Sequence, residues 1–135
     1  MTTKIFVNLP VKDLKRSMSF FKELGFQFNP QFTDDTAACM IVADDIYAML
    51  LTHAKFKTFT QKEIVDTSRF TEVLTALSCD SRAKVDDLLE TALKAGAIES
   101  GRLQDYGFMY GRSFDDLDGH TWEIFWMDPN HIQKT

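Results

Sequence analysis

Glu123 is the side chain best placed to do chemistry. In Thr121-Trp122-Glu123-Ile124-Phe125-Trp126-Met127 the alternation puts Thr121, Glu123, Phe125 and Met127 on one face and Trp122, Ile124 and Trp126 on the other. A carboxylate set into so apolar a wall is expected to be partly desolvated, with its pKa pushed upward, which suits a proton acceptor or a hydrogen-bonding anchor for a ligand. The plainer alternative is a structural carboxylate bonded to Asn8 or Tyr110. Tyr110, Arg112 and Ser113 lie on the segment before an Asp-Gly turn, and Tyr110 carries a hydroxyl at the end of an apolar ring, as small-ligand pockets often use. Arg112 is suited to a ligand carboxylate or to pairing with Asp115 or Asp116. Among the histidines, His120 follows the turn and reads as a packing residue, His131 lies in a polar tail expected to be mobile, and His53, ending a strand, is the better candidate. Cys39 and Cys79 sit in apolar runs without CxxC or Cys/His spacing and read as buried free thiols. There is no phosphate-cradling Gly-rich loop, no HExxH and no Ser or Cys in a nucleophile-elbow context, which argues against nucleotide chemistry and covalent hydrolysis.

The elements that must position these residues come in two similar series. Ile5 to Leu9 reads as a strand ended by Pro10, and Asp13 caps a helix from Leu14 to about Leu24 with a buried stripe of Leu14, Met18 and Phe21. Gly25 ends that helix, and strands follow at 26–32, 36–42 and 46–53. From Thr71 the plan restarts. A strand runs over 72–77, Asp80 or Ser81 caps a helix to about Lys94, and Val85, Leu88, Leu89, Ala92 and Leu93 form its apolar face. Gly96 stops this helix as Gly25 stops the first, and strands follow at 97–103, 108–114 and 121–127. Little residue identity links the halves, but the order of elements is that of a duplicated βαβββ unit. The fold class is α+β, with module 1 over about 1–53, a Phe-bearing connecting arm over 54–70, module 2 over 71–128 and a tail over 129–135.

The chain of 135 residues has the size of a single domain able to bury a core. Twelve phenylalanines and six methionines are more soft apolar surface than a small core needs, which points to an apolar cavity or a subunit interface. A net charge of -5 with no Lys/Arg block argues against nucleic acid and anionic membranes as partners. The absence of an apolar span or a leader pattern gives a cytoplasmic expectation.

Two stretches are more specific than this patterning: Val11 to Phe26, with its V-x-D-L-x-x-S-x-x-F and L-G-F, and Tyr110 to Ile124, with D-x-D-G-H-x-W-E. They resemble the first helix and closing hairpin of the glyoxalase, bleomycin-resistance and extradiol-dioxygenase group, the vicinal oxygen chelate superfamily. The resemblance covers essentially the whole chain. It implies a cup of curved strands shared by both modules, with metal ligands at four positions that carry His, Gln or Glu in metal-using relatives. Here those positions fall on Phe6, Leu50, Leu74 and Glu123.

A single carboxylate does not hold a divalent ion, so no cofactor is expected. A two-residue shift along a strand keeps the face and brings in Asn8 and Glu72, so the alternative metal set is Glu123, Glu72, Asn8 and His53. The leading expectation is a bleomycin-resistance-like protein binding a small organic molecule in an apolar cup, with Phe6, Ala48, Leu50, Leu74 and Ala76 as its floor and Glu123, Tyr110, Asn8 and Arg112 as polar contacts. Glu123 is then also the catalytic candidate. The rivals are a metal-dependent lyase, isomerase or dioxygenase, and a surface interaction module whose core is filled. The resemblance further implies a homodimer.

Overall fold

The computed structural model describes residues 2–131, and the chain divides into two compact units, 1–70 and 71–135. The first unit holds β1 (Ile5–Val11), α1 (Leu14–Glu23), β2 (Gln27–Asn29), β3 (Ala37–Ala43), β4 (Ile46–Thr52) and the short α2 (His53–Lys57). The second holds β5 (Thr75–Ser78), α3 (Arg82–Lys94), β6 (Ile98–Asp105), β7 (Met109–Asp115) and β8 (Thr121–Met127). Each unit forms one four-stranded mixed sheet, in the orders β1-β4-β3-β2 and β5-β8-β7-β6. In both, the first strand runs parallel to the last and the other neighbours are antiparallel. This is the α+β plan of paired βαβββ modules that the sequence implies.

Local chemistry explains the helix limits. The Asp13 carboxylate accepts from the Arg16 amide at 3.1 Å to start α1, and the Ser81 hydroxyl accepts from the Lys84 amide at 3.1 Å to start α3. Gly25 (φ 100°) and Gly96 (φ 114°) turn the chain out of each helix through the left-handed region. The buried side of α1 is Leu14, Ser17, Phe20 and Phe21, with Met18 only half-buried; on α3 it is Val85, Leu89 and Ala92.

Several boundaries differ from the sequence reading. Pro10 does not end β1: the strand runs on to Val11, because β1 lies at the sheet edge, where a residue without an N–H is tolerated. The second strand is short because Pro30 opens a 3₁₀ turn over Pro30–Phe32, with the Asn29 side chain accepting from the Gln31 amide at 2.9 Å. His53 begins α2 instead of ending β4, since the Thr52 hydroxyl accepts from the Lys55 amide at 3.2 Å and caps the new helix. The fifth strand starts only at Thr75, which leaves Glu72 and Leu74 exposed ahead of it.

In the first unit Leu9 pairs with Leu50, Val7 with Ala48 and Asn8 with Met49. Leu9, Ala48 and Leu50 are buried with the α1 residues, whereas Phe6 and Asn8 lie on the opposite, exposed face, where the Phe6 ring stacks on Tyr47 at 4.8 Å. The second unit is built the same way. Phe114, Trp122 and Ile124 are buried on the α3 side, and Ala76, Gly111, Ser113, Glu123 and Phe125 share the open face. Cys39 is buried and Cys79 half-buried, both free, and burial pushes each thiol's pKa up. His131 stacks on the Phe108 ring at 3.8 Å; residues 132–135 of the tail lie outside the described chain.

Candidate functional site: the open face of the second sheet

β8 runs through the interior of its sheet, so Glu123 has a strand neighbour on each side: Ala76 on β5 and Ser113 on β7. Both are small. The next pair along the same face is Gly111 against Phe125, and a Cβ added at Gly111 would sit 3.6 Å from the Cβ of Phe125. Three small residues around one carboxylate leave a hollow of about 300 Å³, bordered further by Met109 and by Gly101, Arg102 and Gln104 of β6. Its volume is at the low end of the ~300–1,000 Å³ typical of small-molecule sites. Glu123 is half-buried there and has no hydrogen-bond or ion-pair partner among the described residues.

β6 reaches the hollow through an irregularity. Ser100 pairs with Ser113 and Gln104 with Gly111, so three residues, 101 to 103, stand opposite Arg112 alone. Gly101 opens this bulge at φ 64°, with Ser113 Oγ 3.0 Å from where a Cβ would lie. The Ser113 hydroxyl donates to the Ser100 carbonyl and ties the bulge to the sheet.

The other face of the same strands carries a network of polar contacts, with Arg112 Nε its one buried polar atom left without a partner among the described residues. Tyr110 Oη donates to Asp86 of α3 at 2.6 Å, and Arg112 donates to Asp86 at 3.0 Å and to Glu99 at 2.8 Å. The Arg82 guanidinium, paired with Asp105, lies 4.4 Å above the Tyr110 ring. The hydrogen bond from Tyr110 holds the Asp86 carboxyl below its ordinary range, and the same bond holds the Tyr110 hydroxyl above its own. The hydrogen bond to Glu99 holds Arg112 charged.

Tyr110 and Arg112 therefore lie one residue out of phase with Glu123 and hold helix to sheet; Arg112 also borders the hollow, but its guanidinium is engaged by Asp86 and Glu99. Arg112 pairs with neither Asp115 nor Asp116. The D-x-D-G-H-x-W-E motif is mostly a fold device too. Asp116, 7% exposed, accepts from the Asp118 amide (2.9 Å), the His120 amide (3.0 Å) and the Trp122 indole N–H (2.9 Å). Burial pushes the Asp116 carboxyl up, opposed by His120 and these donors.

Of the residues expected to form the site, the structure brings Ala76, Arg112 and Glu123 to the border of one hollow. Ala48 and Leu50 are core residues on the α1 side, because strand alternation turns them away from Phe6 and Asn8. Leu74, 57% exposed, precedes β5 and lines no wall of the hollow. The sequence reading missed Gly101, Arg102, Gln104, Met109 and Gly111. A glycine in mid-strand, as at Gly111, was the available signal, since it weakens a strand unless something must approach the backbone there.

Residues 3–43 match the sequence family described as bleomycin resistance protein-like N-terminal. Among solved structures, a hypothetical protein of S. aureus is 27% identical, with 93% of this chain and 95% of that one covered at a TM-score of 0.78. A glyoxalase/bleomycin resistance protein/dioxygenase family enzyme of Burkholderia phytofirmans is 16% identical (93% and 99% covered, TM-score 0.79). A glyoxylase/bleomycin resistance protein/dioxygenase domain of Frankia sp. is 23% identical (97% and 96% covered, TM-score 0.71). The chain has the fold of these glyoxalase/bleomycin resistance/dioxygenase structures. No curated protein matches the sequence.

Among the described residues, no group of three or more His, Cys, Asp or Glu could hold a metal ion. Leu50 is sealed in the core and Leu74 lies outside its strand. In the alternative set, Glu72 is exposed before β5 and His53 heads α2. The donors present do not fit a divalent ion, which needs several at once. Among the described residues no helix is long and apolar enough to cross a membrane.

Proposed function

We propose that this protein binds a small organic molecule in the hollow on the open face of its second sheet, with Glu123 as the polar anchor. The observation that carries the reading is a half-buried carboxylate without a protein partner, walled by residues too small to fill the space before it. Elsewhere in this unit the carboxylates of Asp86, Asp105 and Asp116 are all satisfied by donors. A carboxylate left unsatisfied while partly desolvated favours a ligand that brings its own donor. The apolar surface of Phe125, Met109 and Ala76 then supplies contact area, and Gly111 lets the ligand approach the backbone. Proteins of similar fold are named for bleomycin resistance, and holding a small molecule through one carboxylate and an apolar wall asks for no metal.

The test is to fill the hollow. In Gly111→Trp the indole occupies the space over Phe125 on an already open face, so the fold is retained, as checked by circular dichroism. A fragment library screened by ligand-observed NMR should give hits on the wild type that Gly111→Trp and Glu123→Ala lose. Hits that persist in Gly111→Trp would place binding elsewhere and overturn the reading.

A further inference from the structure

The hollow is bordered by three charged side chains, Glu123, Arg112 and Arg102, and they are not alike. Arg112 is committed to Asp86 and Glu99. Glu123 and Arg102 have no partner among the described residues, although they border the same space and are opposite in charge. They form no ion pair with each other, so their charged atoms stand more than 4.0 Å apart. Elsewhere in this unit Arg82 pairs with Asp105 and Lys84 with Asp80.

Arg102 is not on an ordinary strand position. It is the middle residue of the three-residue bulge, and it gets there because Gly101 adopts a left-handed conformation that other residues rarely adopt. Bulges re-aim side chains, and this one delivers a guanidinium to the rim of a hollow whose floor carries a carboxylate. Resting on the reading of the hollow as a ligand site, we propose that its ligand is dipolar: a small molecule with an ammonium or comparable donor for Glu123, a carboxylate or comparable anion for Arg102, and an apolar body between them over Gly111 and Phe125. A simple cation would meet Arg102 unscreened by any protein carboxylate, and a simple anion would meet Glu123. Only a molecule carrying both signs satisfies both groups, and the guanidinium fork suits a planar carboxylate.

Three probes on one ring isolate the claim: para-(aminomethyl)benzoate, para-methylbenzylamine and para-methylbenzoate. Binding is measured by calorimetry, with amide NMR shifts of Gly111, Ser113 and Glu123 reporting the place. The dipolar probe should bind at least about tenfold more tightly than either singly charged one. Arg102→Ala, an exposed substitution that leaves the sheet intact, should reduce its affinity to that of the amine, and Glu123→Gln to that of the acid. Raising the salt concentration should weaken the Arg102 contribution first, because that side chain is exposed. If the three probes bind equally at the hollow, or Arg102→Ala changes nothing, the dipolar assignment is wrong while the ligand site stands. If none of them moves those amides but fragments of other chemistry do, the dipolar assignment again fails alone. If nothing binds there at all, both fail.

Discussion

The two faces of β7 and β8 carry polar groups under opposite rules. Toward α3, the polar side chains of Tyr110, Arg112 and Trp122 are all engaged: Asp86 and Glu99 receive the first two, and Asp116 receives the indole. On the open face, one residue away along the same strands, Glu123 has no partner among the described residues, and Gly111 and Ser113 leave space in front of it. The difference separates groups that hold the unit together from groups held ready for something else. A side chain's bonding, more than its chemical type, tells which kind it is.

The contrast can be broken most severely at Asp116. Asp116→Ala strips the Trp122 indole and the amides of Asp118 and His120 of their common acceptor in a buried turn, and should cost about 3 kcal/mol, read as a lowered denaturant midpoint at unchanged slope. A smaller break is Tyr110→Phe, expected to cost about 1 kcal/mol because Asp86 is partly solvated. Its pH signature is two-sided. The lowered Asp86 value means that stability from the pair is present above the ordinary carboxylate range and lost as pH falls through the folded value; the raised Tyr110 value means that it is present below about pH 10 and lost as pH rises through the folded value. The variant should lose both flanks, by thermal melts across pH.

Gly111→Ala sharpens the comparison from the other side. The new Cβ meets only ordinary van der Waals contact with Phe125, and a strand interior prefers alanine, so stability should rise by about 0.5–1 kcal/mol. A fall instead would mean that the glycine serves the fold. Smallest of all, Glu123→Gln should leave the melting midpoint within about 0.5 kcal/mol of wild type, since no protein bond is removed. A larger loss would place Glu123 with Asp116 among the structural carboxylates.

The order of the strands and of the two long helices, the Asp13 cap, both helix-ending glycines and the phase of β8 were legible in the sequence, because each depends on local chemistry, whereas the second cap stood open between Asp80 and Ser81 and the short α2 was not foreseen. The fold-level resemblance was legible for the same reason, through Val11 to Phe26 and Tyr110 to Ile124. The site was less so. Tyr110 and Arg112 have ligand-binding chemistry, but their strand phase turns them to α3, and nothing local shows that Asp86 and Glu99 are waiting there. Ala48 and Leu50 share the failing in reverse, since apolar residues suit a pocket wall and a core equally well. The bulge at 101–103 was invisible because it is a mismatch of register between two strands and exists only once they pair. It is also what gives Arg102 its position.

That bulge bears on how the chain behaves in company. β6 is the outer strand of its sheet, with Ile98 and Leu103 largely exposed, and an unbroken strand of that kind offers its free N–H and C=O groups as a template for another molecule to zip onto. The excursion from Gly101 to Leu103 interrupts the row and plants a cation in the gap, so a foreign strand cannot run straight along it. The same three residues that shape the rim of the hollow thus also break the regular edge of the sheet on the β6 side.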